Sequence, residues 1–368
     1  MDQQEQLRYS RHFLLPEIGE EGQEKLKRAR VLVVGAGGLG SPAALYLAAA
    51  GVGHLSIIDF DVVDESNLQR QVLYSTDQIG LPKADSAAAR LRALNPKIEV
   101  NPIREKLTAQ NALALFSAHD IIADGADNFA TRYLSNDAAV LSGRPLVSAS
   151  ILGFEGQLAV FHHEGGPCFR CLYPEAPPAG LVPSCAENGV LGVLPGVLGV
   201  LQASEVLKMI LGIGETLHKH LLYFDALRMD FQKMGIVRNE SCAVCGNRPT
   251  ITRLEESAAV CELPVEELNA HELKELLERN LGIQLLDVRD NHEVKLCAIE
   301  GSRHIPLSEL ELRLGELRKD LPVVAYCKGG LRSANAVRVL SQKGFRAKSL
   351  TGGILAWIDR IDPTLKKY

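Results

Sequence analysis

The 368-residue sequence has no basic excess: 40 Lys and Arg stand against 45 Asp and Glu, a net charge of −5. It therefore lacks the electrostatic footprint of a nucleic-acid binder, and a protein or small-molecule partner is the better expectation. It also lacks a clean apolar run of membrane-spanning kind. The longest uncharged stretch, Val31 to Ile58, contains six glycines and Pro42 and reads as strand, glycine loop, helix and strand in a buried sheet. The opening MDQQEQLRYSRHFLLPEIG has no basic-then-apolar secretory pattern, so a cytoplasmic location is expected. No internal repeat and no low-complexity tract is present. With 46% hydrophobic and 23% charged residues, the composition is that of a globular chain long enough for two or three domains. Eight cysteines in a reducing compartment point to metal ligands or reactive thiols rather than disulfides.

Residues 31–60 predict strand VLVVG, a helix from Ser41 to Ala50 and strand HLSIIDF, the β-α-β opening of a doubly wound parallel sheet. Helix KADSAAARLRALNP, strand IEVNPI, helix AQNALALFSAH and strand DIIADGA continue it. Between Asn239 and Glu262 the hydrophobic period is lost and the text reads as a linker. A smaller α/β domain then follows, with helix LNAHELKELLERN, strand IQLLDVRD, helix LSELELRLGELRK, strand VVAYC, helix SANAVRVLSQKG and strand AKSLTGG. The boundaries are drawn at 1–248 for the first domain, 249–262 for the linker and 263–368 for the second domain.

VVGAGGLGS places Gly35, Gly37 and Gly40 in a G-x-G-x-x-G pattern between strand and helix, where backbone amides and the helix N-terminus cradle phosphates. Asp59, at the end of the next strand, can accept ribose hydroxyls. These features alone specify an adenosine nucleotide and fit an NAD-dependent oxidoreductase equally well. The segment DFDVVDESNLQRQ and the following LPKADSAA add Asn67, Arg70 and Lys83 near the same strand ends. Cationic and amide donors there suit a triphosphate under displacement better than a nicotinamide. Asp127 and Asn128 in DGADN end the later strand, where a carboxylate could hold the magnesium that bridges phosphate oxygens.

GAGGLGSP, SNLQRQ, the lysine of GLPKA and DGADN resemble the MoeB/ThiF-type adenylyltransferases, relatives of the ubiquitin-activating enzymes, over roughly residues 5 to 248. The resemblance implies Gly38 at the phosphate loop, Asp59 on ribose, Asn67, Arg70 and Lys83 on the phosphates and Asp127 on magnesium. It further implies that Arg11, in YSRHFLLPEIG, reaches into the site of a partner protomer, hence a homodimer. Ala126 departs from the family, which usually has threonine there. The apolar stretch VLGVLPGVLGVLQA could serve the dimer or ordinary core.

Cys168 and Cys171 in CFRC, with Cys242 and Cys245 in CAVC, form two pairs spaced to share one tetrahedral ion, and a Cys₄ set without an open position is a structural zinc site. Cys185, in the Pro- and Gly-rich stretch PPAGLVPSCAENGVLG, is expected on an exposed loop, as a nucleophile near an adenylate or as a neutral loop thiol. Cys327 follows VVAY and opens KGGLRS before a helix, so loop amides and the helix N-terminus can lower its thiol pKa and hold an anion. Arg332 completes C-x-x-G-x-R, a ring tighter than that of cysteine phosphatases and suited to a sulfane sulfur. Cys261 and Cys297 are expected as packing residues.

LLDVRDNHE, GSRHIPL and LTGGILAW resemble a single rhodanese domain over about residues 263 to 368, which implies a Cys327 persulfide. The combined resemblance implies an enzyme that adenylates the C-terminal glycine of a ubiquitin-like sulfur carrier (MoaD/ThiS-like) with Mg-ATP. It then transfers sulfur from Cys327 to give a thiocarboxylate. Such carriers serve molybdopterin, thiamine, tRNA thiolation or cysteine synthesis, and the sulfur donor would be a cysteine desulfurase or thiosulfate. The rival readings are an NAD-dependent oxidoreductase fused to a rhodanese domain and a non-catalytic scaffold for a ubiquitin-like protein.

Overall fold

The VLVV text forms strand β1 (Arg30–Val34), whose residues feed two cores in alternation. Val31 and Val33 enter one apolar cluster, Leu32 and Val34 the other. A strand covered on both faces needs a continuous apolar run rather than an alternating one. In the computed structural model, which describes residues 1–176, 189–255, 265–279 and 282–368, β1 lies parallel between β2 (His54–Ile58) and β4 (Ile121–Asp124). Beyond them, also parallel, lie β3 (Glu99–Ile103) and β5 (Leu146–Leu152). Helices Gly40–Ala50 and Lys83–Leu94 close the first core, and Ala112–Ser117 and Phe129–Ser142 close the second. The sheet runs in the order β3-β2-β1-β4-β5, so the strand order reverses between β1 and β4. Ligands of open α/β sheets sit at the carboxyl ends of the strands at that reversal.

The other half of the sheet is antiparallel. β6 (Glu155–Phe161), β7 (His220–Asp225) and β8 (Asp230–Gly235) continue from β5 as a meander, so the eight-stranded sheet is mixed rather than parallel throughout. The apolar stretch after Leu191 becomes the helix Val193–Leu211, the one described helix long and apolar enough to cross a membrane. Here it is a core helix. Leu194, Leu198 and Val206 join the first core, Gln202 donates to the carbonyls of Asp124 and Val147, and Glu205 accepts from the amide of Leu217.

The chain divides into two compact units, the first carrying the described residues up to Glu255 and the second those from Val265 on. Ile251 and Leu254, within the stretch read as linker, pack against side chains of the first unit. The second unit has five strands, β9 (Glu267–Leu268), β10 (Gln284–Asp287), β11 (Arg303–His304), β12 (Val323–Tyr326) and β13 (Ala347–Leu350). They form a parallel sheet in the order β11-β10-β12-β13-β9. Helices Ala270–Glu278, Leu331–Gln342 and Gly353–Arg360 cover it.

One expected helix is absent. LSELELRLGELRK forms two short 3₁₀ turns, Leu307–Glu309 and Leu314–Glu316, although Leu310 and Leu317 are buried as its period requires. The amides of Leu310, Glu316 and Leu317 bond three residues back rather than four. Such bonding makes single turns that do not propagate, and Gly315 inside the run lowers the helical propensity further.

Candidate functional site

The glycine loop is built by close approach. Gly35 has φ +82°, and a Cβ on Gly40 would lie 1.8 Å from the Gly35 carbonyl oxygen, so neither position accepts a side chain without a backbone shift. The loop is tied on two sides. The Ala36 amide donates to Asp59 Oδ2 at 2.8 Å, and its carbonyl accepts from the Tyr74 hydroxyl at 2.8 Å. Burial pushes the Asp59 carboxyl above its usual range, against the backbone amides of Ala36 and Asp61.

A cleft opens where the loop meets the ends of β1, β2 and β4. Gly35, Gly37, Gly38 and Asp59 line one side. Arg70 and Lys83 enter from the segment that follows β2, and Asp127 and Asn128 from the end of β4. Lys83 is buried with its ammonium 3.2 Å from Asp61 Oδ2, while Arg70 donates to the Ser66 carbonyl at 2.9 Å. Asp127 is exposed, and Asn128 caps the helix Phe129–Ser142 by accepting from the Thr131 amide. Asn67, on the turn Glu65–Asn67, and Arg11, exposed on the helix Ser10–Phe13, stand outside the lining of this cleft, and Gly40 shapes the loop from behind.

Three cleft features are invisible in the spacing. Gln71, inside the quoted SNLQRQ, is buried, with its Nε2 3.7 Å from a Cβ position on Gly37 and its Oε1 without a partner. Arg132 brings a further cation, held by its bond to the Ala126 carbonyl. Tyr74 works from behind the loop. Open glycine backbone, the buried Lys83 ammonium and the half-buried Arg70 and Arg132 guanidiniums are a donor set that fits a nucleoside polyphosphate, and the exposed Asp127 carboxylate is the hard oxygen ligand magnesium takes.

Sγ of Cys168, Cys171, Cys242 and Cys245 all lie within 4.8 Å of one another. Three separations are 3.9 Å (Cys168–Cys171), 3.5 Å (Cys168–Cys242) and 3.4 Å (Cys171–Cys245). A tetrahedron with Zn–S of about 2.3 Å has S···S edges of about 3.8 Å, so the set fits zinc. Hydrogen bonding from the neighbouring thiols, Cys168 first, holds Cys245 down to about 5, whereas burial pushes Cys171 up to about 11. The first knuckle is anchored by the helix Phe129–Ser142: Arg170 makes two 2.7 Å bonds to Asp137, and the Phe169 amide donates to Asn136 Oδ1 at 2.7 Å.

Cys327 is buried at the end of β12, and its Sγ accepts from the Gly330 amide at 3.1 Å, with the Ser333 hydroxyl at 3.6 Å. Gly330 has φ +107°, the turn that aims this amide inward. The LTGG text explains itself here. The amides of Ile354 and Leu355 donate to the carbonyls of Cys327 and Lys328, and a Cβ on Gly353 would lie 2.3 Å from the Cys327 oxygen. Arg332, read as completing the loop, is buried and grips buried Glu293 through both Nη atoms, at 2.5 and 2.8 Å, with Asp290 at 3.4 Å. Cys297 is buried in the core, as expected of a packing residue, while Cys185 and Cys261 lie outside the described residues.

The ThiF family matches residues 9–244, and the rhodanese-like domain matches residues 269–360. The chain is 45% identical to the adenylyltransferase and sulfurtransferase MOCS3 of Sus scrofa, over all of this chain and 89% of that protein. It is 44% identical to a probable adenylyltransferase/sulfurtransferase, MoeZ of Mycobacterium tuberculosis, over all of this chain and 96% of that one. A sulfur carrier protein adenylyltransferase of Thermus thermophilus is 54% identical over 70% of this chain and 96% of its own. Among solved structures, E. coli MccB with MccA-N7isoASN is 25% identical at a TM-score of 0.59, covering 65% of this chain and 75% of that one. The glycine-loop fold, the four-cysteine cluster and the cysteine loop thus meet in one chain that belongs to the ThiF family and carries a rhodanese-like domain behind it, as the adenylyltransferase/sulfurtransferases do.

Proposed function

We propose that this enzyme adenylates the C-terminal glycine carboxylate of a ubiquitin-like sulfur carrier and then converts it to a thiocarboxylate. The observation that carries the reading is the cleft in which loop glycines, Arg70 and Lys83 face Asp127 at the sheet's switch point. The carrier carboxylate attacks the α-phosphate of ATP, pyrophosphate leaves, and an acyl adenylate forms. No general base is required, since the nucleophile is ionised at neutral pH, and positioning with electrostatics carries the rate. Arg70, Lys83 and Arg11 of a partner protomer stabilise charge on the leaving pyrophosphate, while Asp59 takes the ribose and Asn67 the phosphates. Magnesium held by Asp127 would neutralise phosphate oxygens.

In the second step a Cys327 persulfide attacks the acyl carbon and expels AMP, leaving an acyl disulfide. A second thiol, for which Cys185 is the sequence candidate, attacks the Cys327 sulfur and releases the thiocarboxylate, so the enzyme is left with a disulfide that an external thiol reduces. The Gly330 amide and the Ser333 hydroxyl, both directed at Sγ of Cys327, support this role for the sulfur. Zinc in the four-cysteine site fastens the segment near residue 245 to the loop after β6. The protein acts as a homodimer in the cytoplasm, with sulfur drawn from a cysteine desulfurase or thiosulfate.

The test is ATP–pyrophosphate exchange with a Gly-Gly-ended carrier. Exchange that requires the carrier and disappears in Lys83→Ala supports the adenylation step; carrier-independent nicotinamide binding with no exchange would return the oxidoreductase reading.

A further inference from the structure

Tyr368, far along the chain from the sulfur loop, stands against it in space. Its hydroxyl accepts from Arg289 Nη1 at 2.7 Å and donates to Glu293 Oε1 at 3.0 Å. Glu293 is the carboxylate that grips Arg332, so the phenol is a link in a hydrogen-bonded chain that ends on the loop's own arginine. The ring has a second occupant. Lys328 Nζ lies 4.8 Å from its centroid, and Lys328 directly follows Cys327. A cation within about 6 Å of an aromatic face is attracted by the ring quadrupole.

The charges around the loop single out this lysine. Arg332 is compensated by Glu293 and Asp290, and Arg289 by Asp287. Lys328 has a ring and, among the described residues, no carboxylate. Among the described residues the loop therefore carries one ammonium without a carboxylate partner, on the residue next to its cysteine, and an aromatic side chain from a distant segment lies against it.

We propose that Tyr368 is a positioning residue for sulfur loading: its ring holds Lys328 at the rim of the Cys327 cradle, where the ammonium receives the sulfonate end of a thiosulfate-type donor. The Cys327 thiolate attacks the outer sulfur of thiosulfate. A new S–S bond forms the persulfide, the S–S bond of thiosulfate breaks, and its electron pair leaves on sulfite. This inference rests on the reading of Cys327 as the sulfur-carrying residue.

The experiment is thiosulfate-to-cyanide sulfur transfer by the full chain, with KM for thiosulfate and kcat measured separately. Tyr368→Leu, which removes the ring, is expected to raise KM about two- to fivefold, the range of an exposed cation–π contact, with kcat little changed. Tyr368→Phe keeps the ring and should stay near the parent value. Lys328→Ala should raise KM at least as far, and adding Tyr368→Leu to it should raise KM no further, because the ring acts through the ammonium. An unshifted KM in Lys328→Ala overturns the proposal even if Tyr368→Leu fails to fold, and so do additive effects in the double variant. Cys327→Ala separates the two levels: sulfur transfer surviving in it would remove the sulfur-loop reading itself. A dead Cys327→Ala beside unshifted Lys328 and Tyr368 variants would remove only this inference.

Discussion

Arg70 and Lys83 bring positive charge to the cleft: among the described residues, buried Lys83 pairs with the half-exposed Asp61 and Arg70 donates to a backbone carbonyl. Truncating either to alanine is expected to slow carrier-dependent pyrophosphate exchange by about 10² to 10³, the effect of losing one preorganised donor, with an unchanged unfolding temperature. Glu293 gives a pH prediction. Burial pushes its carboxyl up, but the hydrogen bonds from Arg332, with the amide of Asp290, outweigh this and leave it below its usual 4.5. A carboxyl depressed in the folded state contributes stability that is complete above the unfolded value and lost as pH falls through the folded one. Acid titration from pH 4.5 downward should therefore lower the melting temperature of the second unit. Glu293→Gln should start lower and show a flatter profile; parallel profiles would contradict this. The partners of Arg332 are also where sequence reading stopped short. C-x-x-G-x-R places the arginine on the loop, but nothing local reveals that Glu293, 39 residues away, turns it inward. Gln71 and Tyr74 escape sequence reading for the same reason: contact with Gly37 and Ala36 is a three-dimensional fact, although Gln71 sits in the quoted SNLQRQ.

The glycine turns and the cysteine knuckles make predictions for whole elements. Gly40→Ala forces a methyl against the Gly35 carbonyl, and overpacking against backbone costs about 1–3 kcal/mol or more; calorimetry should show the first unit melting earlier, with nucleotide binding weakened. Gly353→Ala meets the carbonyls of Cys327 and Lys328 and should impair sulfur transfer while leaving pyrophosphate exchange intact. Loss of both activities would show that the contact matters beyond its own loop. Chelation of the four-cysteine site should release zinc and lower the first unit's unfolding temperature, because ligand binding to the native state is folding free energy; a chain that holds no zinc as purified and melts unchanged would contradict the assignment. Elements were legible where one local pattern sufficed. The VLVV run, the glycine loop and the paired C-x-x-C knuckles each announce themselves within a few residues. The antiparallel half of the sheet is less legible, because its central pairing, β6 with β7, joins Glu155 to Asp225 across a long separation, although β5–β6 and β7–β8 are local hairpins. The leucines from Leu307 to Leu317 carry a helical period yet form separate turns, since burial can be met by i−3 bonding as well.

At the scale of the whole molecule, two sites share one chain: a glycine-lined cleft at the switch point of a mixed sheet, and a cysteine met by the Gly330 amide at the end of a parallel one. Either site alone has many uses on its fold; their conjunction narrows the function to activation of a carboxylate followed by delivery of sulfur to it. The measurement that tests this most directly is intact mass of a Gly-Gly-ended ubiquitin-like carrier after incubation with the full chain, Mg-ATP and thiosulfate, beside the same reaction with Cys327→Ala. The account predicts that the carrier gains the mass of one oxygen replaced by sulfur, and that the Cys327→Ala chain supports pyrophosphate release without that gain. A thiocarboxylate formed equally well by Cys327→Ala, or a carrier left unmodified by the intact chain with every carrier tried, would contradict it.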